Sequence, residues 1–421
     1  MAILLGAIAD DFTGATDLSN VLILSGVRVV QTVGVPRASF DPGSAQAVVV
    51  ALKSRTVPAE VAVAQSLAAL RWLRGMGARQ FYFKYCSTFD STAEGNIGPV
   101  ADALLEELDE DFALVCPAFP ANLRTVYMGH LFVGNELLSD TSMKDHPLTP
   151  MRDPSVVRMM NSQSRHRTGL VGYDVVSRGV EPIERAIEAL RREGYTYGVT
   201  DALSDDHLAV IGKAARSHRL ITGGSAVALG LAENFRQEGL IGPPEQPDMP
   251  QVTGTAAILA GSCSKTTRQQ ISAWKRARRP NFKLDVPRII GDATSVLEVI
   301  EWTERFADQP VLIYSSDNPT EVGSLQKKYG REPLSASIET AMGKIANDLV
   351  NRGRKKLILA GGETAGAVVS ALAVTGLKIG PEIAPGVPWT ETIDEPRIAL
   401  ALKSGNFGSE DFFARALAMF P

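Results

Sequence analysis

Short apolar runs that alternate with amphipathic helical segments constrain the fold of this chain more than any other feature of its sequence. Residues 1–8 read MAILLGAI without a polar side chain, and residues 14–24 place Ala15, Leu18 and Val21 on one helical face. Uninterrupted apolar runs are typical of strands covered on both faces, and strands that alternate with helices indicate a parallel sheet. The sequence therefore predicts an α/β fold in which each domain is a mainly parallel sheet flanked by helices.

The alternation continues through two halves of the chain. Only residues 129–167 interrupt it in the first half, and we expect a long binding loop or lid there. Further predicted strands are residues 27–33, 47–52, 81–84, 113–116, 197–200, 220–222, 256–259, 282–286, 311–314, 356–359 and 398–402. Further predicted helices are residues 59–74, 97–108, 182–193, 205–217, 265–277, 295–306, 338–351, 364–374 and 411–418.

A proline-rich segment separates the two halves. Residues 239–250 read GLIGPPEQPDMP, and their four prolines and two glycines continue neither a helix nor a central strand. We therefore predict a first domain over residues 1–238, a linker over 239–254 and a second domain over 255–421, with the active site in the cleft between the domains.

Composition excludes several classes of protein. The 43 basic and 47 acidic residues give a formal net charge of −4, which argues against a nucleic-acid partner. Three widely spaced cysteines and histidines without metal-ligand spacing favour neither a disulfide framework nor a metal site, and fit a reducing cytoplasm. No apolar run reaches the ~18 residues of a membrane span, and the N-terminus lacks a basic region typical of signal peptides. We expect a cytoplasmic protein, and homo-oligomer formation is left open.

The first candidate site follows the first predicted strand. Asp10 and Asp11 stand where that strand ends and a helix begins, the position at which parallel sheets bind ligands. Asp11 is the candidate that orients a reacting hydroxyl, with Asp10 beside it, and Thr13, Gly14 and Asp17 are candidate substrate contacts. The alternative is that these aspartates cap the helix or only hydrogen-bond the hydroxyl groups of a ligand.

A second polar segment follows the strand at 81–84. Lys84, Ser87 and Thr88 are candidate substrate contacts, since a lysine among hydroxyl groups suits an anionic or polyhydroxylated ligand. An ordinary Ser/Thr-rich turn is the alternative. Asp201 also follows an apolar strand. It is the alternative to Asp11 as the acid/base residue, the carboxylate that orients the reacting hydroxyl and accepts its proton.

Glycine-rich turns in the second half indicate a nucleotide site. Glycines let a phosphate approach the backbone, and a helix N-terminus supplies N–H groups and a positive dipole end. Neither the Walker A pattern nor the dinucleotide fingerprint is present. Candidate nucleotide contacts are Ser262, Ser264, Gly361, Gly362, Glu363, Thr364, Lys403 and Gly405.

Taken in order, these segments resemble the four-carbon acid sugar kinase family. The resemblance rests on ADDFTGATD, KYCSTFDST, the proline-rich linker, GSCS, AGGET and LKSGNFG, which span nearly the whole chain. GNIGPV, CPAFPANLRTVYMGHLFVG and HPLTPMRDP most resemble the branch of the family that acts on 3-oxo-tetronate. Leu123 departs from the pattern, because the resemblance implies a glycine there.

The resemblance implies an N-terminal acid-sugar-binding domain and a C-terminal nucleotide-binding domain. It implies ATP-dependent phosphorylation of the terminal (4-) hydroxyl of 3-oxo-tetronate, with Mg²⁺ accompanying the ATP at no protein site that the sequence identifies. The alternatives are a D-threonate or D-erythronate 4-kinase and a two-domain small-anion binding protein without catalysis. A dehydrogenase is disfavoured by the missing dinucleotide fingerprint.

Overall fold

The computed structural model describes residues 3–145, 149–291 and 295–420. Residues 1–2 of the first predicted strand and 146–148 of the HPLTPMRDP motif lie outside the described residues. The chain divides into two compact units, Met1–Gln246 and Pro247–Pro421, and the division falls inside the predicted linker.

The first unit is built on eight parallel strands in the order β2-β3-β1-β4-β11-β5-β10-β9. All five residues of β1 are buried, and the strand pairs with β3 on one side and β4 on the other. These strands are β1 (Leu5–Ala9), β2 (Val29–Val33), β3 (Ala47–Ala51), β4 (Gln80–Lys84), β5 (Ala113–Cys116), β9 (Thr168–Val171), β10 (Tyr197–Thr200) and β11 (Leu220–Gly223).

Helices connect the strands of this sheet. They are α1 (Phe12–Leu24), α2 (Ala59–Gly75), α3 (Ile97–Leu108), α4 (Val156–Gln163), α5 (Tyr173–Val176), α6 (Val180–Arg192), α7 (Asp205–Ala214) and α8 (Ala228–Gln237). The predicted α/β pattern is confirmed here.

The segment 129–167 is more regular than the sequence predicts. It contributes to a small antiparallel sheet of β6 (Arg124–Tyr127), β7 (His130–Val133) and β8 (Glu136–Leu137), and it contains α4. Short strands with turn residues between them give little periodic signal, so the sequence suggested a loop. Leu123, just before β6, has a φ of 61°, so a leucine occupies the left-handed conformation that favours glycine.

The second unit has a mixed sheet in the order β13-β14-β12-β15-β18-β17-β16. The first five strands in this order, β13, β14, β12, β15 and β18, are parallel. The strand β17 pairs antiparallel with both β18 and β16. The strands are β12 (Ala256–Ala260), β13 (Asn281–Lys283), β14 (Val311–Tyr314), β15 (Lys356–Ala360), β16 (Gly376–Ala384), β17 (Val387–Thr392) and β18 (Ala399–Lys403).

The pattern of the sequence did not predict β16 and β17. Gly380 and Pro381 interrupt the apolar pattern of β16, and a register shift between Ile379 and Glu382 accommodates them. The helices of this unit are α9 (Lys265–Arg276), α10 (Val286–Gly291), α11 (Ser295–Glu304), α12 (Pro319–Tyr329), α13 (Arg331–Asn351), α14 (Gly362–Ala371) and α15 (Phe412–Ala418).

A buried arginine holds two segments of the second unit together. The Arg354 guanidinium donates hydrogen bonds of 2.7–3.1 Å to the carbonyl oxygens of Ala256, Thr303, Phe306 and Gln309. Burial lowers the pKa of Arg354 from its ordinary value. Backbone carbonyls therefore satisfy this charge in place of a carboxylate.

Candidate active site

Three neighbouring strands of the first unit end side by side and carry one polar cluster. Asp10 and Asp11 follow β1, Arg55 lies on the loop after β3, and Lys84 ends β4. The backbone N–H groups of Ser54 and Arg55 both donate to the Asp10 carbonyl, which fixes the Arg55 loop against the end of β1. The carboxyl edge of the sheet therefore gathers two carboxylates and two cations.

Arg55 bridges the two aspartates. Its Nε and Nη2 donate to the two carboxylate oxygens of Asp10 at 2.9 and 2.8 Å, and Nη2 also donates to Asp11 Oδ1 at 2.7 Å. A paired arginine–carboxylate contact of this kind fixes geometry as well as charge. The Asn96 side chain holds the arginine loop from the other side, through the carbonyls of Ser54 and Val57.

Asp11 also caps α1. Its Oδ1 accepts a 2.8 Å hydrogen bond from the Gly14 N–H, and its Oδ2 accepts one of 2.5 Å from the Thr13 hydroxyl. Both oxygens of Asp11 are therefore already hydrogen-bonded within the protein. The predicted role of Asp11 in orienting a hydroxyl stays a prediction, and these contacts favour the capping alternative.

The pKa values of the cluster reflect burial opposed by charge pairing. Burial raises the pKa of Asp10, although Arg55 opposes the rise. Burial also acts to raise the pKa of Asp11, but Arg55, Lys84 and two hydrogen bonds outweigh it and lower that pKa. Burial would lower the pKa of Arg55, yet the two aspartates raise it well above its ordinary value. Arg55 and Asp11 are therefore a charged pair at neutral pH.

Gly14 lies close to both cations and to Asp11. A Cβ atom at this position would lie 2.4 Å from Asp11 Oδ1, 3.0 Å from Lys84 Nζ and 3.6 Å from Arg55 Nη2. Lys84 is 2% exposed, and its ammonium donates to the Tyr85 carbonyl at 2.9 Å. Glycine at this position therefore lets the Asp11 carboxylate and the two cations pack against the start of α1.

The other predicted contacts of this unit occupy neighbouring turns. Ser87 and Thr88 are buried, and the Thr88 hydroxyl donates to Asp90 at 2.6 Å. Asp17 is buried on α1 and accepts a hydrogen bond from Ser225, in the turn after β11. Burial raises the pKa of Cys86 to about 12, so this thiol is a poor nucleophile. Substrate contact by Ser87, Thr88 and Asp17 stays a prediction.

Asp201 binds backbone N–H groups. Its carboxylate accepts hydrogen bonds of 2.7–2.9 Å from the N–H groups of Met128, Gly129 and Tyr173. These contacts hold the turn between β6 and β7 against the start of α5. They favour a structural role over the acid/base role for which the sequence made Asp201 a rival.

In the second unit, the glycine-rich turns also meet at the carboxyl edge of the sheet. The turns follow β12, β15 and β18, which are adjacent in the order β12-β15-β18. A Cβ on Gly261 would lie 2.2 Å from Thr364 Oγ1, and one on Gly361, whose φ is 128°, would lie 3.1 Å from the Ser262 backbone nitrogen. Only glycine permits these approaches.

Gly405 joins the third turn to the first two. Its carbonyl oxygen accepts hydrogen bonds from the Ser264 hydroxyl at 2.6 Å, the Thr267 hydroxyl at 2.9 Å and Lys403 Nζ at 3.1 Å. Ser264 also caps α9 by accepting from the Thr267 N–H. Ser316, which the sequence reasoning missed, donates to the Ser262 carbonyl at 2.6 Å.

Lys403 lies beneath this arrangement. The side chain is fully buried, and its ammonium also donates to the carbonyls of Ser404 and Phe407 at 2.9 and 3.2 Å. Burial lowers the pKa of Lys403 to about 7. Direct nucleotide contact by Lys403 stays a prediction, and the geometry favours a residue that shapes the loop.

The first turn of α14 supplies the remaining predicted nucleotide contacts. Gly361 precedes the helix and its N–H donates to the Lys403 carbonyl at 2.8 Å. Gly362, Glu363 and Thr364 are the first three residues of the helix, and Gly362 is exposed. An exposed glycine at a helix N-terminus suits a phosphate group.

Replacing Gly405 by alanine tests the assembled turns. The new Cβ would lie 2.4 Å from Ser262 Oγ, and forcing a methyl group into a packed position costs ~1–3 kcal/mol, so we expect ATP affinity to fall about fivefold or more. Calorimetric titration with ATP measures the change. Gly323→Ala on α12 is the matched control, because nothing lies within 4 Å of its added Cβ. Equal ATP affinities in the two variants would contradict the assignment.

Two further features concern metals and membranes. Across the described residues, no group of three or more histidine, cysteine, aspartate or glutamate side chains is arranged to hold a metal ion. No helix in the described parts of the chain has the length and hydropathy needed to cross a membrane.

Comparison with known proteins assigns a class to each unit. A family model described as a sugar-binding N-terminal domain matches residues 5–231, and one described as a nucleotide-binding C-terminal domain matches residues 257–413. A Salmonella typhimurium LT2 structure, described as that of a tRNA synthase, is 41% identical over the whole of both chains with a TM-score of 0.85. A Haemophilus influenzae structure is 43% identical with a TM-score of 0.75, covering 99% of this chain and 100% of that one.

The chain therefore belongs to the four-carbon acid sugar kinase family, and the resemblance found in its sequence is confirmed. Among its curated relatives, a Cupriavidus necator protein is 51% identical over 98% of this chain and 96% of its own length. A Haemophilus influenzae protein is 43% identical over 99% of this chain and 100% of its own length. Both relatives are named 3-oxo-tetronate kinase.

Proposed function

We propose that this protein is the ATP-dependent kinase that converts 3-oxo-tetronate to 3-oxo-tetronate 4-phosphate. One observation of the geometry carries the proposal: two cations, Arg55 and Lys84, lie together with Asp10 and Asp11 at the carboxyl edge of the first unit's sheet, where a sugar acid could meet both signs of charge. The names of the curated relatives support the choice of acid.

The proposed reaction is a direct transfer of the γ-phosphoryl group. The oxygen of the 4-hydroxyl forms a bond to phosphorus, the bond from phosphorus to the β,γ-bridging oxygen breaks, and ADP leaves. The hydroxyl proton is released, and in a loose transition state it leaves late, so positioning outweighs base strength. The turns at Ser262, Ser264, Gly361–Thr364 and Gly405 would hold the phosphates.

Mg²⁺ would accompany ATP on its phosphate oxygens, as in other phosphoryl transfers. Because the described residues form no cluster of metal ligands, we assign no protein residue to this ion. Its contribution would be neutralisation of phosphate charge.

A coupled assay of ADP release tests the function. We expect turnover to require both ATP and 3-oxo-tetronate, with D-threonate and D-erythronate as the competing substrates. Preference for either of these would move the assignment to the corresponding 4-kinase. Binding of an acid without ADP release would favour the non-catalytic binding protein.

Two further properties predicted from the sequence remain proposals. The cytoplasmic location rests on composition, and the oligomeric state can be measured by light scattering. We do not extend the tRNA synthase description of the Salmonella structure to this chain, because its acidic residues outnumber its basic ones, 47 to 43.

A further inference from the structure

The Gln163 side chain joins three segments of the first unit. Gln163 is the last residue of α4, and its Nε2 donates to Ser91 Oγ at 2.9 Å and to the Thr92 carbonyl at 2.7 Å. Its Oε1 accepts the Gly98 N–H, in the first turn of α3, at 3.1 Å. One amide therefore connects the end of α4 to residues that stand 65 to 72 positions away in the chain.

Two glycines permit this close approach. A Cβ on Gly98 would lie 2.6 Å from Gln163 Cβ, and one on Gly95 would lie 3.1 Å from Gln163 Nε2 and 1.8 Å from Ser91 Oγ. A side chain at either position would push the amide away from its partners. Both glycines belong to the GNIGPV motif, so contact with Gln163 explains their spacing in that motif.

The two residues after Gln163 extend the contact along α3. The Ser164 hydroxyl and the Arg165 N–H donate to the Asp102 carboxylate at 2.7 and 3.1 Å, and Arg165 Nη2 donates to Glu106 at 2.8 Å. Gly98, Asp102 and Glu106 are spaced four residues apart, so they lie on one face of α3. The end of α4 therefore stays anchored to α3 when the Gln163 amide is changed.

The turn that Gln163 holds, residues 85–92, contains a strained residue. Phe89 has a φ of 51°, although it is not a glycine, and its fully buried ring lies 5.4 Å from the Tyr85 ring. A strained backbone persists only where its surroundings over-determine it. The Phe89 ring fixes the middle of this turn, and Gln163 fixes its end through Ser91 and Thr92.

We propose that Gln163 is a positioning residue, which holds the 85–92 turn in the conformation that the kinase reaction requires. This inference rests on the proposed function and deepens it, because the turn carries Ser87 and Thr88, two predicted substrate contacts. Gln163 would act on the reaction only through the turn. The sequence did not identify it, because its partners are distant in the chain.

Gln163→Glu tests the two donor bonds separately from the third bond. Glutamate keeps an acceptor for the Gly98 N–H but has no donor for Ser91 and Thr92. We expect KM for the sugar acid to rise about five- to a hundredfold, the range for losing two neutral hydrogen bonds, with a smaller change in kcat. Gln163→Leu should raise this KM at least as much. KM for ATP should stay unchanged in both variants.

A glutamine at the end of another helix provides the control. Gln237 ends α8, is exposed and donates to Glu233 at 3.2 Å, so Gln237→Leu should keep the wild-type KM for the acid. A double-mutant cycle with Ser91→Ala then tests the route. Because Ser91→Ala and Gln163→Leu remove the same contact, the double variant should raise KM by less than the product of the single effects.

The outcomes separate positioning from simple support of the fold. A lower kcat with an unchanged KM for the acid, in both Gln163→Glu and Gln163→Leu, would indicate only a loss of folded enzyme and overturn the inference. Single effects that multiply in the cycle would overturn it as well, because Gln163 would then not act through Ser91. A wild type that releases no ADP with any four-carbon acid would instead overturn the proposed function, and this inference with it.

Discussion

Lys403→Met should weaken ATP binding by about ten- to a thousandfold, because a charge-assisted hydrogen bond is worth ~1.5–3 kcal/mol and the ammonium makes several. Without it, the carbonyls of Ser404 and Phe407 lose the donor that draws them inward, and Gly405 keeps only its two hydroxyl donors. The loop would then no longer hold its place beside Ser262. Calorimetric titration with ATP measures the loss, and the affinity for the sugar acid should not change.

A second lysine of the same unit provides the control. Lys356 on β15 lies 4.3 Å from the centre of the Phe420 ring and takes no part in the turns, so Lys356→Met should bind ATP like the wild type. Equal ATP affinities in both variants would show that the loop keeps its shape without the buried ammonium.

The pH dependence of the same residue follows from its pKa of about 7. Thr267, three carbonyls and the Phe412 ring surround the ammonium, and among the described residues burial alone accounts for the shift. Above neutrality the amine has fewer donors, so ATP affinity should fall. Stability should change in the opposite direction: between pH 7 and 10.5 the unfolded chain binds more protons, so the free energy of unfolding rises with pH. Both trends should be absent from Lys403→Met.

Lys84→Met should lower kcat/KM for the sugar acid by about ten- to a thousandfold, the range expected for losing charge-assisted contacts of ~1.5–3 kcal/mol. The buried ammonium lies beside Gly14 and the Asp11 carboxylate, and methionine fills its volume without its charge. Steady-state kinetics at saturating ATP give the change.

Lys213→Met, on α7 of the same unit, is the control and should retain wild-type kinetics. ATP affinity should be equal in both variants. Wild-type kinetics in Lys84→Met would show that this lysine only holds the Tyr85 carbonyl, and the acid would then need another cation.

The parallel strands were predictable because each is a buried apolar run. β5, β10 and β14 have the predicted bounds, and α3 does as well. The strands that escaped prediction lack that signal: β16 contains a glycine and a proline, and β6 to β8 are short. At Leu123 the family pattern predicts the backbone conformation but not the residue. The backbone is left-handed there, although a leucine stands where the resemblance implies a glycine.

The site was predictable where chemistry clusters in sequence. The turns at 261–264, 361–364 and 403–408 each contain glycines and hydroxyl side chains that are visible in the sequence, and the structure brings these turns together. Arg55 and Ser316 could not be found this way, because each is a single polar residue whose partners are distant in the chain. Nor could the sequence show that both oxygens of Asp11 are engaged, since that depends on the Arg55 loop.

Arg354 has a consequence for the interpretation of mutational scans. Its four carbonyl partners lie on two segments, the start of β12 and residues 303–309, and a lysine, with one nitrogen on a flexible stem, cannot reproduce the planar fork that joins them. Position 354 should therefore tolerate almost no substitution in a library selected for growth, although the residue belongs to neither ligand site. Ranking positions by intolerance alone would place this arginine among the catalytic groups. Scoring the same library for protein abundance would separate the two causes, because Arg354 variants would be depleted in abundance as well as in activity.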